Sequence, residues 1–349
     1  MRFLISFILI LAIAPAHAGM DCPSRADGEI IIGTFNVYIL GNLAEKYTNP
    51  ETLNSPEIPK RITAISDVIA VGAFDLVAIQ ELEYGDPGKA AMRDLVATLK
   101  TRHGINYDYF VSDNIGYGFR MYESMAFMFK AEVVTPQVIP GTNKYTQLIP
   151  IDGRDLVRTK WLTGNFDFTL ISAHLAWGNE SKRIDGYQEI DMIFSTPTPS
   201  KYSQDPDIIV LGDFNRFGDE QESVKHLKYD GDFSAPNITI FDPNFNEIVE
   251  PTFSHASGLG LPNDDPQWLS TTISDDNAKV YDIVMLSPSV AEKFTGGPSG
   301  GQFGQDWGIL HFDEVGGCSH QPGWEQLGHD PMKELVSDHR PLWMKFSVQ

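Results

Sequence analysis

Five times along the chain, a short apolar run of the kind that forms a buried strand is bounded by an acid, an amide or an imidazole. The five places are Gly33-Thr34-Phe35-Asn36, Ile79-Gln80-Glu81, Ser172-Ala173-His174, Leu211-Gly212-Asp213-Phe214-Asn215 and Ser337-Asp338-His339. A core strand normally gives way to neutral turn residues. Taken singly, each of these ends reads more readily as a turn residue, a solvated strand end or a satisfied core histidine. The set reads differently. Strands that end together at one sheet edge would gather Asn36, Glu81, His174, Asp213, Asn215, Asp338 and His339 into one cleft.

Between these points, short apolar runs alternate with helical periodicity. Ile30-Ile31-Ile32 leads toward Asn36. Ile58, Ile62, Ile65 and Ile69 recur at helical spacing, Leu76-Val77-Ala78-Ile79 follows as a strand, and Met92, Leu95, Val96 and Leu99 mark a second helix. Further strands are predicted at Met125 to Phe129, Leu156 to Leu162, Phe166 to Ala173, Ile208 to Leu211, Val280 to Leu286 and Leu342 to Val348, so the second half is expected to be richer in β structure. Gly164-Asn165 is a hairpin signal that pairs the chain from Asp155 to Ala173. Pro197 to Pro206 reads as a Pro/Ser-rich loop. Ser287 to Leu335, rich in Gly and poor in apolar runs, is expected to be a functional surface insertion.

The chain has 349 residues, 42% hydrophobic and 21% charged, which excludes a disordered, coiled-coil or collagenous protein. Residues 1–18 read as a signal peptide. Arg2 precedes the apolar run Phe3 to Ile13, and Ala16-His17-Ala18 suits cleavage, leaving 19–349 as one exported domain, periplasmic or secreted. Asp21 before Cys22 disfavours a lipid anchor, and no later stretch approaches the roughly 18 apolar residues of a membrane span. In an oxidising compartment Cys22 and Cys318 are expected to pair as a disulfide, with two free thiols as the alternative. The formal net charge of −21 argues against counterion-driven adhesion to nucleic acid or to anionic membranes, and a monomer without stable membrane association is expected.

A cleft that gathers several carboxylates repels itself unless a cation enters. Oxygen donors without a cysteine cluster favour Mg²⁺ first, with Mn²⁺ or Ca²⁺ behind it. Two more acids stand at strand starts. Glu123 precedes Ser124 to Phe129 and Asp282 precedes Ile283 to Leu286, each placed to orient one of the two histidines.

In order and spacing these motifs resemble the endonuclease/exonuclease/phosphatase superfamily, whose familiar member is pancreatic-type deoxyribonuclease, from about Ile30 to Phe346. Gly212-Asp213-Phe214-Asn215 and Ser337-Asp338-His339 are its most specific parts, and Arg154 is similar to its phosphate-contacting arginine. The resemblance implies an α+β fold: two packed, mainly antiparallel β-sheets flanked by helices in a four-layer α/β/β/α sandwich. It implies metal-dependent phosphoester hydrolysis with Glu81 as principal metal ligand, completed or bridged by Asn36 and Asp338. His339 with Asp282, and His174 with Glu123, would flank the scissile phosphate, Asp213 and Asn215 positioning water or a second metal. Arg154 and Asn36 would contact the phosphate. Two acid-paired histidines predict a bell-shaped pH profile.

The superfamily's motifs imply the reaction and leave the substrate open. The flanks, Arg154-Asp155, Phe166-Asp167-Phe168 and Arg216, look more like the nuclease branch, with DNA, or RNA besides, as substrate and Lys182, Arg183 and Arg216 as added phosphate contacts. No hydrophobic β-hairpin with exposed aromatics is legible, which disfavours a sphingomyelinase. A phosphatase or phospholipase-C-like enzyme is the alternative, and a non-catalytic binding module a third. Tyr122 stands one position from where family nucleases carry a tyrosine. His311, His320, Trp324 and His329 form no family signature and are expected either to shape a substrate groove or to lie in a plain solvent loop. Asn179 and Asn237 match the glycosylation acceptor pattern.

Overall fold

The computed structural model describes residues 22–41, 58–118, 121–195, 205–215, 239–241, 273, 281–297, 301–314 and 329–349, and between the last two spans 317, 318, 321, 324 and 327. The expected signal peptide, Arg216, Asn237, His320 and the His329 side chain lie outside the described residues.

The first sheet holds β1 (Glu29–Leu40), β2 (Leu76–Glu83), β3 (Asp108–Val111), β4 (Gly116–Tyr117), β5 (Tyr122–Phe129), β13 (Trp307–Ile309) and β14 (Leu342–Ser347). Its order is β13-β14-β1-β2-β5-β3, with β4 also on β5. The second holds β6 (Thr135–Gln137), β7 (Thr146–Ile149), β8 (Leu156–Thr163), β9 (Phe166–His174), β10 (Ile208–Asp213), β11 (Thr239–Phe241) and β12 (Asp282–Leu286). Its order is β11-β12-β10-β9-β8-β6, with β7 on β8. Among these strands β1 with β2 and β9 with β10 pair in parallel; the other named strand pairs are antiparallel.

Alternation along the strands builds the layers. Ile30, Ile32, Leu76, Ala78 and Phe127 point between the sheets, where they meet Trp161, Leu170 and Leu211 of the second sheet. The intervening Ile31, Phe35, Val77 and Ile79 face outward onto α1 (Ile58–Gly72) and α2 (Asp86–Thr98). Ile62, Ile65, Val68 and Ile69 form the buried stripe of α1 at helical spacing. On the far side Ile171, Val210 and Met285 pack under α3 (Glu180–Ser195) through Tyr187, Ile190 and Ile193. This is the expected four-layer α/β/β/α sandwich. The predicted hairpin is present, with β8 and β9 paired from Val157↔Ser172 to Thr163↔Phe166. Cys22 and Cys318 are joined, their Cα atoms 5.0 Å apart.

Among the described residues β1 to β9 precede residue 175; much of the second half, expected to be richer in β structure, lies outside the described residues. Short edge strands such as β4 and β6 carry no apolar run to announce them. One expectation is corrected. The stretch Ser287 to Leu335 is no surface insertion over its described residues. It contributes α4 (Pro288–Lys293), β13 and α5 (His329–Leu335), and it buries Val290, Phe294, Trp307, Ile309 and Phe312. Its apolar residues are isolated rather than clustered, which hides core content from a run-based reading.

Candidate active site

Strand direction explains why the polar ends meet. The parallel pairs β1/β2 and β9/β10 all finish at one edge of the sandwich, and their antiparallel neighbours β5, β12 and β14 begin there. Acids at strand starts therefore land beside amides and imidazoles at strand ends: Asp213 is in register with both His174 and Asp282. The edge is also where the backbone leaves regular geometry. The β1/β2 register slips after Asn36, and Tyr38, Ile39, Glu81 and Asn215 adopt positive φ of 46°, 51°, 59° and 48°. Such conformations cost about 1–3 kcal/mol each in non-glycine residues and concentrate where side chains must be aimed. Gly212, at φ 137°, lets the strand turn Asp213 inward, because a Cβ there would sit 2.1 Å from the Ala173 carbonyl oxygen.

Glu81, Glu123, Arg154, His174, Asp213, Asn215, Asp338 and His339 line one cleft of about 300 Å³; Asp282 and Asn36 stand behind its wall. His174 Nδ1 pairs with Glu123 Oε2 at 2.8 Å, and His339 Nδ1 with Asp282 Oδ2 at 2.8 Å. The two Nε2 atoms each lie 3.5 Å from Asp213 Oδ2. Asn36 Nδ2 donates to Glu81 Oε1 and to Asp213 Oδ2, both at 2.9 Å. Asn215 donates its backbone N–H to Asp213 Oδ1 at 2.7 Å and its side-chain amide to the Leu175 carbonyl at 2.9 Å. Both histidine-acid pairs, the Asn36–Asp213 bond and the Arg154 Nη2–Glu123 Oε1 pair at 3.0 Å join one sheet to the other. One layer below, Thr34 donates to Gln80, which donates to Ser172 of the second sheet at 2.9 Å.

The electrostatics divide the carboxylates. Burial pushes Glu81 up, and the charges of Glu123 and Asp338 add to it against the pull of His174. Burial would also raise Glu123 and Asp338. His174 and Arg154 outweigh it at Glu123, and His339 and Lys333 at Asp338, so both are held below the ordinary range. At His339 burial works against the charged ring, yet Asp282, Asp213 and Asp338 together lift it to about 10. Ligand atoms of Glu81, His174 and Asp213 lie within 4.8 Å of one another. Asp338 Oδ1 is buried and makes no hydrogen bond among the described residues. With oxygen and imidazole donors only, and both thiols consumed in the disulfide, this set fits a hard divalent cation.

Some expected contacts are placed elsewhere. Arg183 is 1% exposed and donates to the Ala176 carbonyl from inside α3, so it cannot meet a substrate phosphate. His311 is fully buried, and Trp324 packs edge to face on Phe312 at 6.1 Å; neither shapes the cleft. Lys182 is at the surface, paired with Asp152 at 3.0 Å. Arg154 does line the cleft, with one Nη on Glu123 and the other on the Leu175 carbonyl at 2.8 Å. Three further residues belong to the site. Lys333 of α5 reaches Asp338 at 3.0 Å and lies 4.2 Å above the Tyr38 ring. Arg61 of α1, 5% exposed, donates to the carbonyls of Val37, Tyr38 and Ile39 and, at 3.5 Å, of Val336, binding the end of β1 to the turn before Ser337-Asp338-His339. Trp177 lines the mouth. No sequence pattern marks Arg61 or Lys333, each being a polar residue of an amphipathic helix until the fold shows what it faces. Exposed aromatics do stand on one β-hairpin, where β4 and β5 carry Tyr117 and Tyr122.

No protein-family model matches the sequence, and no curated protein matches it significantly. Solved structures do share the fold. An endonuclease/exonuclease/phosphatase family protein from Bacteroides thetaiotaomicron superposes with a TM-score of 0.53 at 14% identity, over 91% of this chain and 94% of that one. A mannosyl-6-phosphatase from the same species gives 0.52 at 14% identity, over 90% and 98%. D. rerio TDP2 complexed with a single-strand DNA product gives 0.50 at 14% identity, over 92% and 99%. At these identities the likeness is one of fold, and the fold is that of the superfamily whose motifs the sequence resembles.

Proposed function

We propose that the protein is an exported, divalent-metal-dependent phosphoesterase that hydrolyses nucleic acid without sequence preference, DNA first and RNA besides. The observation that carries this reading is the symmetry about Asp213, with two histidines, each held by its own buried acid, presenting Nε2 at equal distance from one carboxylate oxygen. A phosphodiester needs a base for the attacking water on one side and an acid for the leaving oxygen on the other. His174 and His339 fill those two places, with Glu123 and Asp282 fixing their tautomers. Glu81, with Asp338 and Asn36, would hold the cation, and Mg²⁺ bound there supplies a Lewis acid for the phosphate oxygens. Asp213 and Asn215 orient the water. Each Nη of Arg154 keeps a second hydrogen for a phosphate oxygen beyond the bond it already makes. Nucleic acid is favoured by the sequence flanks and by the DNA product bound to a protein of the same fold. Export is supported by the Cys22–Cys318 bridge, which suits an oxidising compartment.

The test is a substrate panel on purified protein with Mg²⁺, with and without EDTA: plasmid, single-stranded DNA, RNA, a hexose phosphate, an inositol phosphate and sphingomyelin. EDTA-sensitive cleavage of DNA that His339→Ala and His174→Ala abolish is the expected result. Hydrolysis of a monoester or of sphingomyelin with DNA left intact overturns the substrate and selects the phosphatase or phospholipase-C-like alternative.

A further inference from the structure

The mouth of the cleft carries a band of exposed aromatic rings. Tyr84, Tyr117, Tyr122 and Trp177 are 46%, 60%, 58% and 57% exposed. The three tyrosines form one cluster, and Trp177 stands across Gly153 from it. The Tyr84 N–H donates to the Tyr122 carbonyl at 2.9 Å, and the Tyr117 and Tyr122 rings meet edge to face at 5.2 Å across the β4/β5 pair. Next to Tyr117, Gly116 abuts the Gly153 carbonyl, and Gly153 in turn lies against Ala176, the neighbour of Trp177. Trp177 lines the cleft itself, and the tyrosines stand beside it through the β4–β5 turn, where Met121 lines the cleft and Gly118 abuts the Glu123 carboxylate and the Arg154 guanidinium. Contiguous aromatic surface left in water marks a recognition site, and the flat rings of Tyr and Trp suit another flat ring.

Charge narrows what that ring belongs to. A molecule of net charge −21 gains little from counterion release on a polyanion. At this rim Lys182 is tied to Asp152 and Arg183 is buried. Beyond the phosphate that Arg154 can meet, what the described residues of this rim offer a nucleic acid is stacking, and stacking requires bases freed from their own duplex partners. We infer that the rim of Tyr84, Tyr117, Tyr122 and Trp177 binds unpaired bases, so that the enzyme takes single strands and draws the adjoining phosphate between His174 and His339. This rests on the nuclease reading and adds strandedness and the stacking residues to it.

The experiment compares kcat/KM for a single-stranded oligonucleotide, the same sequence as duplex, an abasic strand of equal length, and bis(p-nitrophenyl) phosphate, a diester without bases. The wild type is expected to favour the base-bearing single strand, with a shallow dependence on salt. Trp177→Ala and Tyr122→Ala are each expected to lower the ratio of single-strand to small-diester kcat/KM roughly 5- to 100-fold, mainly through KM. Trp177→Leu keeps an apolar side chain without the π face and gives the same reading should the alanine variant fold poorly. Equal rates on duplex and single strand, equal rates on abasic and base-bearing strands, or an unchanged ratio in both variants overturn the inference while leaving the nuclease reading standing. Hydrolysis of the small diester with no cleavage of any nucleic acid overturns both. Binding to sphingomyelin vesicles that Tyr122→Ala abolishes would assign the rim to a membrane instead and overturn the inference.

Discussion

Arg61 shows how a residue outside the cleft can govern a carboxylate set that could hold a cation. Its guanidinium draws the carbonyls of Val37, Tyr38 and Ile39 inward, and this presents the Ile39 N–H to Glu81 Oε2 at 3.1 Å. Burial lowers its pKa to about 10, against the pull of Tyr38, Glu81 and Asp338, and it remains a cation at neutral pH. Arg61→Met should lose about 1–3 kcal/mol of stability, through the carbonyls left unsatisfied. It should also weaken Mg²⁺ binding about tenfold, as removal of a partner behind the ligands does; calorimetric Mg²⁺ titration and chemical denaturation check the two separately. Glu81 makes the opposite kind of prediction. A buried carboxylate whose pKa is raised destabilises the metal-free fold; the penalty is complete above its folded pKa, shrinks as pH falls below that value and is gone below the unfolded pKa. Glu81→Gln should therefore raise the metal-free melting temperature at pH 7 while removing the rise that Mg²⁺ gives the wild type. Each catalytic candidate in the cleft was legible because its chemistry interrupts an apolar run. Arg61 and Lys333 were not, because they sit where a helix is expected to be polar.

The elements were legible where burial repeats. β1, β2, β5, β8, β9, β10, β12 and β14 each carry an apolar run, and α1 and α2 a clear stripe. The edge strands β3, β4, β6, β7 and β11 do not, since an edge needs only one buried face and, here, two to four residues of pairing. The same limit hid the role of the segment before α5. There Arg340 binds Asp313 at 2.8 Å and 2.6 Å, fastening that segment to the start of β14. Burial would raise the Asp313 carboxyl, but the Arg340 cation outweighs it and holds it below the usual carboxylate range. A carboxylate depressed in the folded state contributes stability that is complete above its unfolded pKa, near 4, and is lost as pH falls through the folded value. Melting temperature followed from pH 6 down to pH 2 should fall more steeply in the wild type than in Asp313→Asn, whose curve starts lower and lies flatter in that window.

At the scale of the whole molecule, the two-sheet sandwich followed from the resemblance that the motifs carried rather than from strand prediction, and the Cys22–Cys318 bridge from cysteine count and compartment. The bridge spans 296 residues. Closing so long a loop restricts the unfolded chain, and losing it should cost about 2–4 kcal/mol, with the chain-entropy bound near 5–6. Denaturation of Cys22→Ser/Cys318→Ser beside the wild type measures this, and activity per folded molecule should be unchanged because the bridge lies away from the cleft. Within the sandwich the position of the two histidine-acid pairs has a mechanical meaning. Each pair takes one member from the first sheet or the turn that leads into it and the other from the second sheet, so the site works as a vernier for the alignment of the two sheets. A slip of one sheet past the other by less than the length of a hydrogen bond would disengage both pairs at once while the apolar interior stayed closed. In a urea titration, the proposed phosphoesterase activity should accordingly fail at a lower concentration than tryptophan fluorescence reports for collapse of the interior, and core substitutions far from the cleft should abolish that activity before they melt the fold.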